Sequence, residues 1–183
     1  MGPWRGAGGF SLADLLVSLA VMGCVLAGAY TVLASGLGAY RFGVARVEAQ
    51  QSARVALERM VKELREAGYD PTGADIAAVT AAESQLVTFQ RDLNGNGVID
   101  PTRERVTFLL RPGESVLRRD AGGGAQPLAE GVRRLALTYY DRAGAETADP
   151  ARVVSIRIEL EVGLTGPGVV VESHVTLRNG LIW

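Results

Sequence analysis

From Leu15 to Leu33 the chain carries no charged side chain. A helix rises about 1.5 Å per residue, so a run of roughly 19 residues spans the hydrocarbon core of a bilayer. Lipid offers no hydrogen bonds to a bare backbone, so such a run is a helix if it lies in a membrane. A buried core helix is the alternative, but the length and the missing charge favour a membrane span. Gly23, Gly28, Gly36 and Gly38 interrupt the run, which lipid tolerates. Asp14 is the anomaly: it sits within the stretch GGFSLADLL, residues 8–16, where the apolar run begins. At the centre of a membrane helix an aspartate costs about 2.5–3.5 kcal/mol, so its place requires a reason. Arg5 precedes the span, and Arg41 and Arg46 follow it, a balance too even to orient it by charge.

The remainder has the composition of a globular domain. The 183-residue chain has a formal net charge of -1, which gives no argument for a nucleic-acid partner. Aromatic residues make up 6%, too few for a base-stacking platform. Arg118-Arg119 and Arg133-Arg134 read as solvated strand faces. Cys24 is the single cysteine, so no intramolecular disulfide forms and the domain stands on its core or on a bound ion.

Helical periodicity continues beyond the apolar run. Ala53, Leu57, Met60, Val61 and Leu64 form one stripe, with Arg54–Glu58, Glu58–Lys62 and Arg59–Glu63 spaced i,i+4 on the opposite face. Gly68 and Pro71 supply a stop. The pattern predicts one helix from about Ser11 to Ala67, apolar all round in its first half and one-faced in its second. Residues 85–90, 105–110 and 115–119 read as strands, the last after a Pro112-Gly113 turn, and residues 120–127 as a Gly-rich loop. Leu135, Leu137 and Tyr139 then alternate with polar neighbours. So do Ile156, Ile158, Leu160 and Val162, and Val171, Ser173, Val175 and Leu177. Period-two alternation predicts an antiparallel sheet with one dry face, which the helix stripe covers. The fold class is α+β.

The succession Gly9, Phe10, Ser11, Leu12, Ala13, Asp14, Leu15, Leu16 resembles the class III signal of type IV prepilins. Residues 53–68 (ARVALERMVKELREAG), residues 127–144 with Tyr139-Tyr140-Asp141 and Gly144, and the ending VTLRN, residues 175–179, are similar to PilW-type minor pilins. J-type minor pseudopilins of type II secretion share this layout. The resemblance implies a leader at residues 1–9, a transmembrane and filament-core helix at 10–39, and an extracytoplasmic pilin-like domain at 40–183. It implies cleavage after Gly9 by prepilin peptidase, N-methylation of Phe10, and an inner-membrane precursor that joins other major and minor pilins or pseudopilins in a filament at the cell surface. Asp14 stands where the family has Glu, as the acid that pairs with the amine of a neighbouring subunit. Aspartate keeps that charge with one methylene less reach. Its own helix N-terminus also favours it, by about 0.3–1 kcal/mol.

Two further features stand beside that resemblance. Asp92, Asn94 and Asn96 have the 1, 3, 5 spacing of an EF-hand-type Ca2+ loop, with Gly97 at the turn, Val98 offering its carbonyl and Asp100 in the ninth place. Arg103 occupies the twelfth place and Glu104 comes one residue late, so an Asn-Gly turn without metal is the competing reading. Val21-Met22-Gly23-Cys24 distantly resembles a lipobox, which makes a lipid-anchored or membrane-anchored extracytoplasmic binding module the alternative function. No G-x-S-x-G, Walker A or H-E-x-x-H motif is present, and the one histidine, His174, has no second histidine for a zinc site. An enzyme is not expected.

Overall fold

The computed structural model describes residues 11–163 and 168–177. The leader and the Gly9–Phe10 junction therefore lie outside the described residues, as do Arg178 and Asn179 of the VTLRN ending. The chain divides into two compact units at Val44 and Ala45. Helix α1 spans Leu12–Leu64 and so contributes to both.

Within the first unit every described residue is helical, apart from Ser11 at the start, and every one is exposed. This follows from a sequence apolar on all sides with no other element of its unit to cover it. The helix is long and apolar enough to cross a membrane, with mean hydropathy 2.1 over its most apolar stretch. The fold class is α+β, as the periodicities predict.

In the second unit the remainder of α1 buries Ala53, Ala56, Leu57, Met60 and Leu64. Ala56 joins the predicted stripe, whereas Val61 lies at its half-buried margin. The helix closes with tighter turns, Glu66 N–H to the Glu63 carbonyl and Ala67 N–H to Leu64. Gly68 then takes φ 72°, the left-handed position that ends helices, and gives its N–H to the Gln90 carbonyl at 2.8 Å.

Among the described residues, eight antiparallel strands follow, in two sheets. The first has β1 (Val79–Glu83), β2 (Leu86–Gln90), β3 (Arg105–Leu110), β4 (Val116–Asp120) and β5 (Gln126–Glu130), in that order. The second has β6 (Val132–Tyr140), β7 (Ser155–Val162) and β8 (Val169–Thr176). β1 and β5 are additions to the expected strands. β1 buries only Val79, so its alternation is faint. β5 occupies part of the expected Gly-rich loop and carries Pro127, which an edge strand accepts because it needs no inward N–H there.

The core joins the α1 stripe to Val87, Phe89, Val106, Phe108 and Leu117 of one sheet and to Leu135, Ile156, Ile158 and Leu160 of the other. Phe89 and Phe108 stack at 6.0 Å. The sheets are also stitched by polar groups. The Tyr139 hydroxyl lies 2.7 Å from the Glu83 carbonyl and 2.9 Å from that of Leu86, and Leu137 N–H donates to the Ser84 carbonyl. Burial pushes the Tyr139 phenol well above its ordinary range. Arg119 on β4 binds both oxygens of the buried Glu63 carboxylate at 2.9 Å, and Arg59 reaches it at 3.0 Å. Of the three helix pairs expected, Arg59–Glu63 is the one that forms an ion pair. The Arg118-Arg119 pair is likewise more than a solvated face, since Arg118 binds Glu114.

Candidate functional site

The start of α1 is built by local capping. The Ser11 Oγ accepts from Ala13 N–H at 3.3 Å, and the Asp14 Oδ2 accepts from Ser11 N–H at 3.3 Å. This Ser-x-x-Asp arrangement is a capping box, with each side chain satisfying a backbone donor that the first helical turn leaves open. Its sequence signal is Ser11 three residues before Asp14. Ser18 Oγ donates to the Asp14 carbonyl at 2.7 Å, so both ends of the residue are held. The charge of Asp14 thus sits at the positive end of the helix dipole. Oδ1 has no partner among the described residues, so the acid retains an acceptor for a cation. Cys24 lies exposed in mid-helix, and α1 runs on for another ten turns or so beyond it.

The loop of residues 92–104 is closed by two buried acids. Asp92 is fully buried, and its Oδ1 accepts from Gly95 and Asn96 while its Oδ2 accepts from Gly97 at 2.8 Å. Gly95 and Gly97 adopt φ 71° and 74°, which lets the backbone curl round that carboxylate. Glu104 is 1% exposed. Its Oε1 accepts from Leu93 and Asn94, and its Oε2 from Asp100 N–H. The acid that comes one place late for the calcium pattern is therefore the loop's second clasp.

Several of the side-chain oxygens in the calcium pattern accept hydrogen bonds within the loop. Asn94 Oδ1 accepts from Asn96 N–H, Asn96 Oδ1 from Val98 N–H, and Asp100 Oδ1 from the Thr102 N–H and hydroxyl. The Thr102 hydroxyl and amide hold the Asp100 carboxyl below its usual range. Among the described residues no three His, Cys, Asp or Glu side chains come together to hold a metal ion. The loop as arranged is closed by its own hydrogen bonds.

The Tyr139-Tyr140-Asp141 stretch has structural work. Tyr139 ties the two sheets, and Asp141 Oδ1 accepts from Ala143 and Ala145 N–H across a turn in which Gly144 has φ 77°. Arg152 pairs with Asp141 Oδ2 at 2.6 Å. His174 is exposed, 6.0 Å from the Tyr140 ring, whereas Ser173 belongs to the opposite, inward row of β8, so the two do not act as base and nucleophile. No family model matches the chain, and no curated protein matches it.

Proposed function

We propose that the chain is a minor pilin or pseudopilin, a structural and assembly subunit of a type IV pilus or related filament, without enzymatic activity. One observation carries the reading: a single helix whose first part is exposed on every side and whose last part is an integral piece of an antiparallel β domain. An apolar surface exposed all round calls for lipid, or for other helices once lipid is left behind. The precursor is then held in the inner membrane with its β domain outside the cytoplasm. Prepilin peptidase cuts after Gly9, Phe10 is N-methylated, and the helix enters a filament of like helices.

Asp14 has two roles in this scheme. Toward its own chain it completes the capping box. Toward a neighbour, its second carboxylate oxygen meets the Phe10 amine of another subunit, which neutralises two charges as they enter an apolar filament core. The test is mass spectrometry of the mature N-terminus. N-methyl-Phe10 is expected. A diacylglyceryl group on Cys24 or an intact Met1 overturns the reading. Asp14→Ala then isolates the pairing role: insertion in the membrane persists while recovery in filaments falls. Normal filament recovery leaves Asp14 with its cap alone.

A further inference from the structure

The last strand, β8, is an edge. It pairs with β7 and with no other strand among the described residues. Its register fixes which groups are left over. Leu177 donates its N–H to the Val154 carbonyl, and the pairing runs without a shift from there to Val162 and Val169. In an antiparallel ladder bonded pairs alternate with unbonded ones, so Val170, Glu172, His174 and Thr176 turn their N–H and C=O groups away from β7. That row is an open template for another strand.

Beside this edge, within the same unit, lies a groove of about 740 Å³. Leu57, Val61 and Tyr69 give it an apolar lining, and Ser173 comes from the inward row of β8. Its charges are unequal once internal pairs are removed. Glu66 is bound to Arg91, and Glu172 to Arg157 at 2.8 Å. Lys62 and Arg65 have no ion pair among the described residues, against the single carboxylate of Glu58. An apolar trough, a row of unused backbone groups and one cation in excess of the groove's free carboxylate occur together.

We infer that this groove takes an extended segment of another protein, which adds a strand to β8 and places a carboxylate against Lys62 and Arg65. The backbone supplies the general affinity, alternate apolar side chains fill the trough, and the acid sets the register. The inference stands apart from the filament reading, because it concerns the β domain alone and its test needs no filament.

The experiment uses the full chain in detergent micelles and three eight-residue peptide libraries that alternate β-branched and polar residues. The fourth position is Asp in one, Asn in the second and Lys in the third. The wild-type chain should retain the Asp library about tenfold over Asn, and more over Lys, at low salt. K62E/R65E should invert the order to favour Lys, which a merely unfolded variant would not do. Equal retention of the three libraries, no retention at all, or an Asp preference that survives the double reversal overturns the inference. Concentration-dependent dimerisation that K62E/R65E abolishes also overturns it, by giving the edge to a second copy of the chain.

Discussion

The two ends of α1 are the same secondary structure with opposite dependencies. Around Leu15, Leu19 and Leu26 more than half of each side chain's surface is open, whereas Ala53, Ala56, Met60 and Leu64 have none. The later part is satisfied by its own chain: its apolar stripe joins the core, and Glu63 is paired with Arg59 and Arg119, while Val55 stays exposed. The earlier part is apolar on all sides, so folding of the chain alone leaves its surface unanswered. The first is a piece of a fold, the second a piece of an environment or an assembly.

Substitutions can break that contrast. Met60→Ala should cost about 2–5 kcal/mol of domain stability by urea unfolding, since the fully buried side chain leaves a cavity. Leu19→Ala should change the same measurement by less than about 0.5 kcal/mol while weakening membrane retention or assembly. Equal effects at the two sites would erase the distinction. Gly122→Ala belongs with the large effects: Gly122 has φ 87°, and an added Cβ would lie 2.2 Å from the Thr102 backbone. Thermal unfolding should show a loss of several degrees, and a shift below one degree would mean that the two loops separate at no cost.

Next in size is the loop. Asp92→Ala leaves three backbone N–H groups without their acceptor and should lower stability by roughly 1–3 kcal/mol. Millimolar Ca2+ should leave the wild-type melting temperature unchanged, because the loop is closed by its own hydrogen bonds. A rise of several degrees that Asp92→Ala abolishes would assign an ion to it.

The smallest effect is pH-dependent. Burial raises the Tyr139 phenol above the ordinary phenol value of about 10. The folded state therefore holds this proton more tightly than the unfolded state. Its contribution is complete below the unfolded value and drains away as pH rises beyond it. Stability should decline above about pH 10. Tyr139→Phe should lose about 1 kcal/mol at neutral pH and decline less steeply in alkali.

Much of this architecture was legible in the residues. The 3.6-residue stripe of α1 and the two-residue alternation of β6, β7 and β8 marked element types because each turns one face to a shared core. β1 and β5 were hidden because they are peripheral and bury little. The loop was half legible. Its spacing marked Gly97 as a tight turn, and Gly97 has φ 74°, but a ligand row and a hydrogen-bonded closure use the same oxygen-rich residues. The part taken by the buried Glu104 was hidden, because burial is a property of the folded chain. At Asp14 the charge stands out from the apolar run, while the four-residue capping pattern from Ser11 is the plainer signal.

The end of α1 has a mechanical consequence. Gly68 is bonded to the Gln90 carbonyl and Asp92 N–H to the Tyr69 carbonyl, while Arg119 grips Glu63 one turn earlier. A pull along that helix reaches β2 and β4 through three anchorages set side by side, which share the load before any one yields. With a single cysteine in the chain and so no intramolecular disulfide, these anchorages act together with the buried stripe of α1 to hold the helix to the sheets.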